Sequence, residues 1–581
     1  MEDLAVNGGW RLRPALLGLL GAFAGLLAHL ILGNDTRFDL TAFEASALAF
    51  VTVAPALVGF TLDRARWLWS LIFALIGGLV AAALIYWSGP PGGWDSAGGW
   101  RVFSLFLAIA IAAPLFQAAR DEGAARFPYA RVHDHAWANI VLWCASWAFV
   151  GISFVLTILL GQLFHLIKID LLYDLLQHYW FPRTLCGAAF GAGLGLLREH
   201  DRLVQMLQRV VVTVLAVLAP VLAVGLVLFL LALPFTGLDA LWDATRATTP
   251  ILLSCVVGAL ILANVVIGNS REEEARNPVL RYAAMALGPV MLPLAVIASI
   301  ATRLRIAQHG FTPDRLWALT FVIIGIAFGL AYLVALVRGR LGWTRFVRPA
   351  NLKLAFGLCA VALLLATPLI SFNAISARDQ VARLESGRVR PDQFDWRALA
   401  FDFGEAGKAA LKRLTGSANA AIRAKAVEVA KAGNRWDVEA PSEFENRRTQ
   451  VAANLRLLPQ GAVLPPALRD AIAKGYACSG QSKCTLVLAS ASEALLFNDS
   501  CFDQLVADPK RPNAVFRCGG PSRYLLVDGA WQDNSGIVYR NLRDADLPAL
   551  AQGYKDGKVE IRPVQRRQAF VGGVPVGDAF E

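Results

Sequence analysis

The sequence predicts an α-helical polytopic membrane bundle of about eleven spans, N-terminus inside and C-terminus outside, followed by an extracytoplasmic α+β domain. Three observations carry the prediction. Val210–Phe235 runs without one ionisable side chain, and about 20 apolar residues are enough to cross a ~30 Å hydrocarbon layer. Of the 581 residues, 56% are hydrophobic and 17% charged, where a soluble chain carries about 25% charged residues; the mean hydropathy is +0.50. After Ile370 the composition turns polar, and about 210 residues follow, enough for a domain of their own. The expected domains are therefore a transmembrane part over 1–372 and an extracytoplasmic part over 373–581.

The first span is expected at Pro14–Leu32. It is longer than the apolar core of a signal peptide and lacks a small-residue cleavage site, so it reads as retained. Further spans are expected at about Ala45–Leu62, Trp67–Trp87, Val102–Ala119, Trp137–Leu163, Pro182–Leu197, Val210–Phe235, Pro250–Gly268, Tyr282–Ala301, Leu316–Val337 and Leu354–Ile370. Alternate loops differ in charge. One set holds Arg11 and Arg13, Arg64 and Arg66, Arg120, Arg126 and Arg131, Arg198, Arg202 and Arg209, Arg271, Arg276 and Arg281, then Arg338 through Lys353. The other set is poorer, and the richer side reads as cytoplasmic. The formal charge of +11 is thereby assigned to loops facing anionic lipid, and nucleic acid is not an expected partner. No GxxxxGK[ST] loop occurs, which disfavours an ATP-driven pump. No cofactor is expected.

Between the fifth and sixth spans, Leu171, Leu172, Leu175 and Leu176 recur at helical spacing while Asp170, Asp174 and His178 take another face. This fits a helix lying in the membrane interface; a metal site built on the three polar residues is the alternative and needs further ligands. His133-Asp134-His135 has the same two readings, polar interface or metal. In the sixth span, Gly187, Gly191 and Gly195 form a small-residue stripe that admits another helix closely, within the bundle or across a homodimer.

The polar tail reads as helices first, at Ser376–Val389, Gly404–Leu414 and Ser417–Gly433. Another helix is expected near Ala467–Tyr476. Short strands follow at CTLVLAS, EALLF, NAVFRC, RYLLVDG and VEIRPV, and a closing hairpin turns at Gly572–Gly573. Cys478, Cys484, Cys501 and Cys518 lie in this part. On an oxidising side they form two disulfides, by proximity Cys478–Cys484 and Cys501–Cys518. A four-cysteine zinc site is the rival, and no CxxC pair supports it.

Three separated phrases, LALPFTGLDALWDAT, HGFTPDRLWAL and ARLESGRVRPDQFDWRALAFDFGEAGKAALKRL, appear in the same order as in the bacterial multi-span family catalogued as domain of unknown function 4153, which the chain resembles. The resemblance implies a bacterial cytoplasmic-membrane protein and brings no reaction or catalytic residues. The residues have local readings too. Thr312 suits an N-cap, Pro313 the first helical position, Asp314 the positive helix end and Trp317 an interface. Asp239 and Asp243 share one face of a short outward helix, either as a helix restart or as ligand-binding groups.

Three functions fit. A membrane anchor that presents an outer domain for sensing, binding or envelope assembly, with membrane lipids and an envelope protein as partners, needs no particular side-chain constellation. A lipid-linked glycosyl or phosphoryl transferase would use Asp35 and Asp39 of the first outward loop as base or metal ligand. A transporter would need ionisable groups near the midplane, where the spans offer little beyond Asn264.

Overall fold

The computed structural model describes residues 12–34, 40–64, 66–90, 96–237, 248–438, 441–475, 477–478, 482–499, 517–519, 521–534, 539–541, 552–559, 567–571 and 574–580. The chain forms two compact units: residues 1–389 with 398–430, and residues 390–397 with 431–581.

Among its described residues the first unit holds helices and no strand. Its elements are α1 (Arg13–Leu32), α2 (Ala42–Thr61), α3 (Trp67–Ser88), α4 (Ser96–Glu122), α5 (Tyr129–Leu166), α6 (Leu171–Gln177), α7 (Trp180–Glu199), α8 (Asp201–Thr236), α9 (Thr248–Ile267), α10 (Pro278–His309), α11 (Pro313–Gly339) and α12 (Thr344–Ala366). Then come α13 (Phe372–Glu385), α14 (Gly404–Leu414) and α15 (Ala420–Ala430). The starts are chemically marked. Thr41 and Glu44 make a reciprocal capping box on α2, Asn277 caps α10 ahead of Pro278, and Thr312 accepts from the Arg315 amide ahead of Pro313 on α11, each satisfying amides that a helix start leaves open.

Among the described residues, ten helices are long and apolar enough to cross a membrane. The expectation of about eleven differs from this at one element. The stretch expected at Pro182–Leu197 is a helix, α7, antiparallel to α1 along its length: Gly195 meets Pro14, Gly191 meets Leu17 and Gly187 meets Gly21. It falls short in apolarity because its middle is glycine and alanine and its ends carry Arg183, Arg198 and Glu199. Two other helices outrun their apolar cores. α5 begins at Tyr129 and α10 reaches His309, since polar turns beyond the lipid-facing part remain helical. Wide apolar faces of α3, α5 and α8 stay exposed, among them Ile72, Leu156 and Val221, as expected of surfaces solvated by lipid. Among the described residues, an extensive buried cluster lies between α8, α9, α10, α11 and α12, where Leu287, Met291, Leu294, Tyr332 and Val347 are fully enclosed.

The second unit is α+β. A five-stranded sheet runs β1 (Leu455–Leu458), β2 (Cys484–Leu488), β3 (Glu493–Asn498), β5 (Ser522–Val527), β6 (Ala530–Asp533). β1 and β2 are parallel, joined through helix α17 (Pro466–Lys474), as a parallel pair requires a crossover. The remaining neighbours are antiparallel. Leu486, Leu496, Ala494 and Tyr524 are buried on one face together with Leu468 and Ile472 of α17 and Val451 of α16 (Pro441–Asn454). β4 (Arg517–Gly519) pairs with β7 (Tyr539–Asn541), and β8 (Arg567–Val571) with β9 (Val574–Phe580). The expected terminal hairpin is thus present; its Gly572–Gly573 turn lies outside the described residues, as does VEIRPV beyond Val559.

Candidate functional site

The polar chemistry of the bundle gathers where helices end. An α-helix leaves its last four carbonyls without intrahelical partners, and its dipole makes that end negative. At the end of α2 these carbonyls are taken by side chains from four other helices. Arg198 of α7 donates to Gly59 O. Gln117 of α4 donates to Phe60 O at 2.9 Å. Arg120 of α4 and Ser70 of α3 both donate to Thr61 O, Ser70 at 2.7 Å. Arg13 of α1 donates to Leu62 O at 3.0 Å.

The same device recurs. Arg66 donates to the Arg120 and Asp121 carbonyls at the end of α4, and Arg13 reaches Arg198 O at the end of α7. Arg183 of α7 donates to Gly33 O just past α1 at 2.7 Å. Arg348 of α12 donates to Ile267 O at 2.8 Å and Ser270 O at 2.7 Å at the end of α9. Arg383 of α13 donates to Gln308 O at 2.7 Å and Arg315 of α11 to Gly310 O at 2.7 Å, both at the end of α10. A guanidinium suits this work because it is always charged and offers a planar fork of donors.

Around the α2 end lies a cavity of about 470 Å³, within the range of small-ligand sites. Arg13, Arg66, Arg120 and Arg198 line it, with Asp63, Asp121 and His135. Asp121 accepts from Arg120 at 2.6 Å and faces His135 Nε2 at 2.8 Å. Gln117 and Asn139 bond to each other. Phe60, Leu142 and Val204 supply apolar wall. Such a cavity can hold an oxyanion against guanidinium N–H groups.

A second polar cluster sits by the end of α9. Asn351 donates to Asn264 Oδ1 at 2.6 Å, and Asn264 donates to the buried Tyr332 hydroxyl at 2.7 Å. Asn264, the polar group expected inside a span, is therefore held by protein partners from α11 and α12.

The residues singled out from sequence are dispersed. Asp35, Asp39, Asp239, Asp243 and Cys501 lie outside the described residues. Asp170 precedes α6 and pairs with His165 at 2.5 Å, while Asp174 and His178 are exposed. His135 turns to Asp121, Asp134 accepts from Asn269 at 2.7 Å, and His133 lies between the rings of Tyr129 and Trp137. Among the described residues no three His, Cys, Asp or Glu side chains converge as a metal set. Gly187, Gly191 and Gly195 are all occupied by α1 of the same chain. Cys478 and Cys484 are disulfide-bonded with Cα atoms 5.6 Å apart; Cys518 sits in β4. The arginine caps were not anticipated, although Arg-bearing loops next to helix ends are their sequence signal.

The HGFTPDRLWAL phrase is met by the part of α13 just ahead of the third phrase. The α10–α11 turn, His309 to Thr312, is held by α13: Asp379 accepts from the Phe311 amide at 2.7 Å, and Gln380 donates to His309 O and Phe311 O. Gly310 has φ +75°, and a Cβ there would lie 2.5 Å from Asp379 Oδ2. A family model, described as a domain of unknown function (DUF4153), matches residues 45–414. The chain belongs to the DUF4153 family. The matched range takes in α2 to α14, including the α2 end, the α10–α11 turn and the α13 helix that clasps it. No curated protein matches, and no solved structure matches.

Proposed function

We propose that this DUF4153 protein is a multi-pass scaffold of a bacterial inner membrane, N-terminus inside, in which the 20-residue α7 crosses beside α1 as an eleventh span, so that the C-terminal α+β unit is presented in the periplasm for binding or assembly in the envelope. One observation carries the reading: the bundle's arginines bond the ends of neighbouring helices, at α1, α2, α4, α7, α9 and α10. Groups committed to interhelical capping hold a bundle in one arrangement, whereas alternating access needs repeats that rock against each other. The inner assignment of the arginine-rich end rests on the positive-inside rule. Membrane lipids and an envelope protein are the partners this implies.

A lipid-linked transferase acting through Asp35 and Asp39 is the rival. The test is complementation of a deletion strain by the chain carrying Asp35→Asn and Asp39→Asn, at normal protein level. Full complementation supports the scaffold. Loss of complementation with an intact, membrane-inserted protein overturns it in favour of carboxylate chemistry.

A further inference from the structure

The second unit holds a cavity of its own. About 490 Å³ lies open at the carboxyl ends of β1 and β2, within the range of small-ligand sites. Among the described residues these two strands are the parallel pair of the sheet, and the crevice beyond the carboxyl ends of parallel strands is where open α/β sheets take their ligands. Two walls are the strand ends themselves, Leu458 to Gln460 and Val487 to Ala489; the third is Asp556, Gly557 and Val559. That third wall is pinned to the sheet, because Arg456 of β1 donates to Tyr554 O at 3.3 Å and to Lys555 O at 3.2 Å. Gly557 then turns the chain at φ +72°, where a Cβ would lie 2.8 Å from Arg456 Nη2. Leu458 and Val487, 8% and 7% exposed, give the cavity an apolar floor, while Gln460, Ala489 and Asp556 are exposed at its mouth. Asp556 is the one charged side chain among the described lining residues, and no Lys or Arg joins it, which disfavours a phosphate ligand. No aromatic ring lines the cavity, so a nucleobase would find no stacking platform. A carboxylate at the mouth complements a cation. Asp556 Oδ2 faces Lys558 at 3.2 Å, but the Lys558 side chain is 75% exposed; a surface pair of this kind contributes little, and an incoming ammonium or guanidinium can exchange with it.

We infer that this cavity binds an extended peptide segment of an envelope protein, with an aliphatic side chain on the Leu458–Val487 floor and a neighbouring Lys or Arg against Asp556. Successive side chains of an extended chain point to opposite sides, so adjacent aliphatic and basic residues reach the floor and the mouth together. The Gln460 amide offers donors and an acceptor to the peptide main chain between them, the division of labour usual in peptide grooves. The inference rests on the reading of this unit as a binding module and names the chemistry of its partner.

The test uses the purified full chain in nanodiscs as bait for a phage-displayed library of random hexapeptides; enriched peptides are synthesised and their affinity measured by fluorescence polarisation. Ala489→Trp fills the mouth, and Asp556→Asn removes the carboxylate. Thr449→Trp adds a tryptophan at an exposed position of α16 that does not line the cavity. The expected result is enrichment of peptides that place an aliphatic residue next to Lys or Arg. Their affinity should fall about tenfold or more in Ala489→Trp and about fivefold in Asp556→Asn, and stay unchanged in Thr449→Trp. No enrichment above empty nanodiscs, enrichment of acidic peptides, or undiminished binding by a folded Ala489→Trp chain overturns the inference. Should Ala489→Trp not fold, the surface change Asp556→Lys decides alone, and binding that it leaves undiminished overturns the inference too. The selection is blind to membrane sidedness, so its failure leaves the scaffold reading standing, whereas a cytoplasmic location of the unit overturns that reading and leaves the peptide site in place.

Discussion

The α1–α7 seam gives the sharpest stability prediction. Gly191→Ala would set a Cβ 2.0 Å from Leu17 O, where real Cβ contacts essentially never fall below 3.0 Å. The obstacle is backbone, so no side chain can rotate away and the helices must part by about 1 Å. A gap of ~0.5–1 Å forfeits a quarter to a half of each dispersion contact, and overpacking of this kind costs about 1–3 kcal/mol. Alanine also gains up to about 1 kcal/mol over glycine in any helix interior. Gly151→Ala on α5 isolates that gain, because nothing lies within 4 Å of a Cβ there. The two alanine variants should therefore differ by about 1–3 kcal/mol, Gly191→Ala being the less stable. Unfolding by denaturant in mixed micelles, or by steric trapping in bicelles, measures the difference. Equal stability of the two would refute the close α1–α7 packing, and with it the assignment of the glycine stripe to contacts within the chain.

Three further outcomes follow from other elements. Asp379→Ala removes the acceptor for the Phe311 amide and should loosen α13 from the α10–α11 turn by about 1–2 kcal/mol, read as faster amide exchange at Phe311. In the second unit, Arg397 donates from its two terminal nitrogens, Nη1 and Nη2, to the Glu443 carboxylate at 2.6 and 2.5 Å, and this pairing holds the Glu443 carboxyl below its ordinary value. A depressed folded value means the stabilisation is complete above the unfolded value of about 4.3 and is lost as pH falls through the folded one; Glu443→Gln should flatten the acid unfolding of this unit, and an unchanged acid limb would count against the pair. The Cys478–Cys484 bond closes a short loop, worth about 2 kcal/mol by chain entropy, so Cys484→Ser should lower the unit's denaturant midpoint, whereas Cys144→Ser, a free thiol on α5, should not.

Much of the bundle was legible because lipid imposes a simple grammar. Long charge-free runs such as Val210–Phe235 had to be helices, since only helices and closed barrels satisfy their backbone in hydrocarbon. The GFTPDR start was legible for local reasons, a hydroxyl cap followed by proline, and the Thr312 bond appears as expected. α14 has the bounds expected from GEAGKAALKRL. What escaped was nonlocal. The arginines flanking the spans carry a topological signal, but that each reaches a particular carbonyl on another helix depends on which helices are neighbours, and nothing in the spacing says that Arg198 meets Gly59. α16 escaped because PSEFENRRTQVAAN shows little apolar period; it is anchored partly through Arg447, 7% exposed, donating to Ala473 O. β1 escaped because four residues, LRLL, are too few to show alternation, and its strand character comes from pairing with β2. α7 was legible as a helix, yet its small residues serve packing against α1 rather than lipid solvation.

Sidedness tests the central claim most directly. Trp436 is 78% exposed on a turn of the second unit, and Arg126 is exposed in the loop between α4 and α5. Cysteine is placed at each in turn, and intact cells are treated with a membrane-impermeant maleimide. The scaffold account predicts labelling of Trp436→Cys in intact cells and of Arg126→Cys only after permeabilisation. The reverse pattern would place the α+β unit inside and contradict the account.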